Sequence, residues 1–148
     1  MAIESAGGWV WYDWQVKDVK SGYILKDAKP WASEWIVDRV GSNYFGKVLM
    51  ATVTSGGSDR ELAHVGHLSQ LEDLFLDGSS VTDAGLVHLV GLTNLKVLNL
   101  DGTKVTGTGL AHLKGLTKLS ELSLIRNQVS DARVQELQQA LPSVTIYR

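Results

Sequence analysis

Three of the four histidines, His64, His88 and His112, recur at one fixed step along the chain. Imidazoles brought side by side can hold a transition metal, or titrate together near neutral pH. A metal site needs complementary ligands, however, and no carboxylate keeps a neighbouring phase. The three are therefore read as a structural ladder along one helical flank. His67 breaks the series, because Gly91 and Gly115 hold its place. Asp77 and Asp101 also recur, each followed by glycine. Two carboxylates one step apart could share a cation, but Asp-Gly is first of all a turn signal. Ser79, Thr103 and Asn127 share a phase suited to side-chain hydrogen bonds with buried backbone groups. Serine, histidine and aspartate are plentiful, yet no spacing fixes a triad. There is no phosphate loop, no nucleophile elbow and no HExxH motif. The expectation is a protein that is not an enzyme and uses neither cofactor nor metal.

All of these residues ride on one grid with a step of twenty-four. Leu71, Leu74 and Leu76 return as Leu95, Leu98 and Leu100, then as Leu119, Leu122 and Leu124. Val81, Val105 and Val129 keep phase, as do Leu86, Leu110 and Val134, and Leu89, Leu113 and Leu137. A period in this range implies a solenoid of units that each leave an apolar face for the next to cover. At 148 residues and 44% apolar composition the chain can form one cored domain. A net charge of −2 gives no electrostatic case for nucleic acid. The absence of cysteine excludes disulfides and thiolate metal sites. No apolar run is long enough to span a bilayer, so membrane insertion by this sequence is not expected.

One unit shows how the grid works. In residues 71–94, Leu74 and Leu76 alternate with polar or exposed positions, as a half-buried strand requires. Asp77-Gly78-Ser79-Ser80 is a turn cluster, and Val81 returns to the core. Thr82 stands where a helix N-cap belongs, with Asp83 in the first turn. Leu86, Leu89 and Leu92 follow at helical spacing. The cap reading repeats at Thr106 and Ser130. Gly85 and Gly109 sit early in their helices, where glycine is unfavourable by about 1 kcal/mol relative to alanine; close approach of neighbouring helices would explain them. Arg133 replaces this glycine and is read as marking the C-terminal edge. A degenerate unit precedes these, with Met50 and Thr52 matched to Leu74 and Leu76, Ser58-Asp59 to Thr82-Asp83, and Leu62, Val65 and Leu68 to Leu86, Leu89 and Leu92. Residues 142–148 close the array with a short strand in which Ile146 follows Leu122 at one step.

The segment LEDLFLDGSSVTDAGLVHLVGL resembles a bacterial leucine-rich repeat of the type abundant in planctomycetes, and LKVLNLDGTKVTGTGLAHLKGL fits again. The ending ALPSVTIYR is similar to that family's terminus, and the upstream tryptophan-rich stretches resemble its N-terminal part. The resemblance implies an α/β solenoid, with short parallel strands on a concave side and helices on a convex side. It carries no catalytic residues. It also implies that a membrane tether can precede the domain, and Met1-Ala2 before Ile3 reads as a start placed just ahead of one.

Residues 1–46 are a different text, holding all five tryptophans: Trp9, Trp11, Trp14, Trp31 and Trp35. Trp9 to Val16 suits a strand, with Val10, Tyr12, Trp14 and Val16 on one face. Lys17 to Lys29 reads as a loop, and Pro30 opens a helix with Trp31, Trp35 and Ile36 on one side. The region is read as an α+β cap over the first repeat, with residues 47–141 forming the repeats. An aromatic platform for sugar or peptide is the other reading of the tryptophans.

The outward strand positions would line the concave arc. They are Glu72, Asp73, Phe75 and Asp77; Lys96, Val97, Asn99 and Asp101; then Ser120, Glu121, Ser123, Ile125 and Arg126. Five acids against two bases make the arc mildly acidic, and Phe75, Val97 and Ile125 place apolar atoms where folding does not need them. The leading functional reading is recognition of a protein or peptide by this arc. The alternatives are carbohydrate or cell-envelope binding through the tryptophan-rich region, and a structural domain that self-associates. The expected state is a monomer or weak homodimer. Partner identity and compartment are not encoded in these features.

Overall fold

A strand of three residues buries little alone, so the repeat must be satisfied between coils rather than within one. The computed structural model describes residues 9–12, 16–18, 23–24, 48–53 and 57–148, with side chains from Met50 onward. Strands β1 (Trp9–Tyr12), β4 (Val48–Thr52), β5 (Asp73–Phe75), β6 (Val97–Asn99), β7 (Glu121–Ser123) and β8 (Thr145–Tyr147) form one sheet in the order β1-β4-β5-β6-β7-β8. From β4 to β8 every neighbouring pair is parallel, and β1 adds to β4 antiparallel.

The register aligns Ala51, Leu74, Leu98, Leu122 and Ile146 in one row. The first four are essentially inaccessible and Ile146 is partly buried against them. One row further, Val53, Leu76, Leu100 and Leu124 are buried too, and each donates its backbone N–H to the next strand: to Phe75, Asn99, Ser123 and Tyr147, at 2.8–2.9 Å. The same bond at every junction keeps the leucine rows superimposed.

The first coil departs from the sequence reading by one residue. Met50 pairs with Asp73 and Thr52 with Phe75, so the core positions are Ala51 and Val53, not Met50 and Thr52. Val53 precedes Leu62 by one residue fewer than Leu76 precedes Leu86, and a one-residue slip exchanges the two faces of a strand.

On the other side of the core lie helices α1 (Asp59–Val65) and α2 (Asp131–Ala140), with two 3₁₀ helices between them, η1 (Gly85–Leu89) and η2 (Thr108–Gly115). Leu86, Leu89 and Leu92 step by three, as do Leu110, Leu113 and Leu116; at three residues per turn these stack along one side of a 3₁₀ helix. α1 has the same spacing but holds α geometry with a capping box: the Glu61 carboxylate accepts from Ser58 N–H (2.9 Å) and hydroxyl (2.6 Å), and the Ser58 hydroxyl accepts from Arg60 N–H. The hydroxyl bond from Ser58 is the leading cause that holds the Glu61 pKa below its ordinary value.

Thr82 and Thr106 are not the residues at the N-cap positions of η1 and η2, although the Thr82 hydroxyl does accept from Ala84 N–H at 3.2 Å, as a cap would. Ala84 and Gly107 hold those positions, while Ser130 is the N-cap of α2 but makes no side-chain cap bond. The threonines and the neighbouring aspartates instead form brackets between coils. Asp59 accepts from Thr82 N–H (2.8 Å) and hydroxyl (2.6 Å). Asp83 accepts from the Thr106 N–H and hydroxyl, from Gly107 N–H (3.1 Å) and from Gly109 N–H (2.8 Å). Burial pushes the Asp83 pKa up, but bonds from Thr106, Gly109 and Thr108 together outweigh it and hold the carboxyl below its usual value.

These brackets explain the helix glycines. A Cβ on Gly85 would lie 2.2 Å from Asp59 Oδ1, and one on Gly109 would lie 2.7 Å from the Asp83 Cα and carbonyl oxygen. At the third junction both partners change together: Gly107 stands in the aspartate position and Arg133 in the glycine position. A Cβ on Gly107 would meet Arg133 Cβ at 3.2 Å. Arg133 is thus admitted by the small residue in the coil before it, and not by the lack of a coil after it.

The polar row behaves as expected at one of its three positions, Thr103; Asn127 bonds the Thr103 side chain and not backbone, and its Oδ1 is buried with no partner among the described residues. The Thr103 hydroxyl donates to Leu100 carbonyl (2.8 Å) and accepts from Asn127 Nδ2 (3.0 Å). Ser79 Oγ is buried with no partner among the described residues.

In the N-terminal region, the strand expected over Trp9 to Val16 is two: β1 ends at Tyr12, and β2 (Val16–Asp18) pairs with β3 (Tyr23–Ile24) inside the stretch expected to be loop. The helix expected from Pro30 lies outside the described residues.

Leu98→Ala should cost about 2–5 kcal/mol in urea unfolding, as a buried truncation in the central coil. Gly109→Ala should cost about 1–3 kcal/mol in the same measurement, because the added Cβ meets backbone that cannot step aside. Asp83→Asn should also destabilise near neutral pH. Since the folded pKa of Asp83 is lowered, its contribution is present above the ordinary carboxylate pKa and fades as pH falls through the lowered value.

Candidate functional site

The alternation that buries one leucine row turns the adjacent residues of each strand to the other face. Met50, Asp73, Val97, Glu121 and Thr145 form one outer row, and Thr52, Phe75, Asn99, Ser123 and Tyr147 the next. Asp77, Asp101 and Ile125 follow at the strand ends; Glu72, Lys96 and Ser120 precede the strands. The expected candidate residues are therefore gathered on one surface. Phe75 and Val97 are half-buried, so folding uses part of their apolar area, contrary to expectation. Ile125 is 40% exposed.

The polar groups of this face divide by how far neighbours have claimed them. Lys96 Nζ bonds Glu72 Oε2 at 2.6 Å, an exposed pair that contributes little to stability. Asp101 Oδ1 accepts from the Ser123 hydroxyl (2.6 Å) and Ile125 N–H (2.8 Å), while Asp101 N–H donates to Asn99 Oδ1 (2.8 Å). Asp73 has no such support. Burial raises its pKa, Glu72 adds to the rise, Lys96 opposes it and Glu121 adds a little more.

At the turn after each strand the backbone is left-handed: Gly78 at φ 66°, Gly102 at φ 61° and Arg126 at φ 62°. Glycine takes this conformation without penalty, whereas for arginine it costs about 1–2 kcal/mol. The Asp-Gly turns at Asp77 and Asp101 thus become Ile125-Arg126 in the third coil without a change of backbone.

Tyr147, 47% exposed, is an outer-face residue that the sequence reading left unassigned, although it stands at the grid phase of Phe75. Met50 and Thr52 join the face through the shifted register of the first coil. His64, His88 and His112 are exposed on the helical side, away from this face. Among the described residues no group of three or more His, Asp or Glu side chains is placed to hold a metal ion. A cleft of about 130 Å³ near the C-terminus, between Thr117, Leu119, Leu141 and Val144, contains no titratable side chain.

No family model matches the chain, and no curated protein matches it. Among solved structures it is similar to an internalin from Listeria monocytogenes, a bacterial leucine-rich repeat protein, with 27% identity and a TM-score of 0.51. The match covers 58% of this chain and 24% of the internalin, so the chain spans about a quarter of that protein. The fold is leucine-rich-repeat-like. The likeness is to a bacterial protein of the leucine-rich repeat class, and nothing in it points to the planctomycete form. No helix among the described residues is long and apolar enough to cross a membrane.

Asp73→Asn should stabilise the protein near pH 7, read as a higher urea midpoint. A raised folded pKa means that folding disfavours the ionised carboxylate. The advantage of the asparagine variant should therefore shrink as pH falls and vanish below the ordinary aspartate pKa.

Proposed function

We propose that this chain is a non-catalytic module that recognises a protein or peptide through the outer face of its sheet, the concave arc of a leucine-rich-repeat solenoid. The observation that carries this reading is the exposure of large apolar side chains at Ile125 and Tyr147 on a face whose core-forming partners are already complete without them. The interacting set is Glu72, Asp73, Phe75, Asp77, Lys96, Val97, Asn99, Asp101, Glu121, Ser123, Ile125 and Arg126, with Tyr147 added. Likeness to an internalin supports a repeat fold suited to protein interaction.

Residues 1–46 are taken as the N-terminal cap, 47–141 as the repeats and 142–148 as the closing strand. Antiparallel addition of β1 to β4 supports the first of these, because it occupies an edge that would otherwise template aggregation. A face of five strands this short falls near or below the roughly 1,600 Å² of a standard interface, so affinity for a single partner is expected to be modest.

The test is panning of a random-peptide display library on the whole chain. Wild type should enrich defined sequences. Phe75→Glu combined with Ile125→Glu should abolish enrichment while costing no more than about 2 kcal/mol of stability. Unchanged enrichment by the folded double variant would refute recognition through this face.

A further inference from the structure

The third coil breaks the chemistry of the two before it at one corner of the outer face. Where Asp77-Gly78 and Asp101-Gly102 stand, the chain has Ile125-Arg126, and in the adjoining strand Tyr147 pairs in register with Ser123. All three departures are solvent-exposed: Ile125 at 40%, Tyr147 at 47%, and Arg126 as well. None of the three side chains donates or accepts a hydrogen bond among the described residues, and Arg126 makes no ion pair there. The other cation of this face, Lys96, is committed to Glu72.

Arg126 also holds its place against its own backbone preference. The left-handed turn at φ 62° is one that glycine fills in both preceding coils. Strained residues of this kind concentrate where a side chain is needed for something other than folding. Arginine, tyrosine and a bulky aliphatic are also side chains that bury well at the centre of an interface. Asp73 and Glu121 lie at the strand starts, and Asp101, whose Oδ1 accepts from the Ser123 hydroxyl and Ile125 N–H, is the carboxylate bonded to this corner.

We propose that Arg126, Ile125 and Tyr147 form the specificity corner of the recognition face, and that they select a polypeptide segment with a carboxylate next to an apolar side chain. The guanidinium takes the carboxylate through paired N–H donors, and Ile125 with Tyr147 covers the apolar group. This inference rests on the outer-face reading and narrows it to one end.

The experiment compares random-peptide display on the whole chain for wild type, Arg126→Gly, Arg126→Glu, Ile125→Ser with Tyr147→Ser, and Phe75→Ser with Val97→Ser. Thermal melts are recorded for each. Wild type should enrich sequences with Asp or Glu within three residues of an aromatic or large aliphatic. A synthetic peptide of the enriched sequence should bind Arg126→Gly at least about tenfold more weakly, while that variant melts about 2 °C higher because its turn is relaxed. Arg126→Glu should shift enrichment toward Lys or Arg, and the Ile125/Tyr147 variant should lose it. Enrichment that survives every change at the corner but is lost with the Phe75/Val97 variant would overturn the corner and keep the face. Enrichment indifferent to both sets would overturn the face as well.

Discussion

A coil of this protein cannot bury its own apolar side. The superposition of Ala51, Leu74, Leu98 and Leu122 across four parallel strands removes that side from water, and nearly everything else follows from keeping those residues in line. Burying a leucine fully is worth about 1.5–3 kcal/mol. Slipping one strand by one residue would exchange buried leucines for polar neighbours along its whole length. Register is therefore strongly determined by the core, and the outer rows inherit their alignment from it.

A second set of contacts fixes the helical side, and it works in pairs. Asp59 and Asp83 reach into the following coil, and Gly85 and Gly109 leave them room. Gly107 and Arg133 show the reverse combination, with the small residue before and the large one after. The covariation is steric: where the carboxylate is present the next coil must be bare, and where it is absent the next coil can carry bulk. The helix of the last coil is in turn tied to the closing segment that follows it. Gln138 Nε2 lies within 3.0–3.3 Å of the carbonyls of Leu141, Pro142 and Val144, and Arg148 pairs with Asp131 at 2.7 Å.

Much of this could be read from the chain because the repeat makes every leucine a prediction about two others. The parallel strands, the buried valines and the gathering of outward residues all follow from the phase of the grid. What escaped reading lay in interactions that span coils. Thr82 followed by Asp83 has the appearance of a local helix start, yet the threonine bonds backward to Asp59 and the aspartate forward to Thr106. Met50 and Thr52 went to the wrong face because matching by similarity cannot detect a connection shortened by one residue. Tyr147 was legible by counting from Phe75, but its setting in a closing strand disguised it. The outer face is less legible than the fold for a physical reason: the core constrains only alternate residues and leaves the remainder free to vary.

The same freedom makes the central claim directly measurable. The chain has no cysteine, so single cysteines can be placed at Val97, Leu98 and Asn99 of β6 and their labelling rates by a soluble thiol reagent compared under native conditions. Rapid labelling is expected at 97 and 99, and labelling at 98 only through unfolding, slower by orders of magnitude. Protection at 97 and 99 with rapid labelling at 98 would show that the faces are assigned the wrong way round, and equal rates at all three would show that this strand has no buried face.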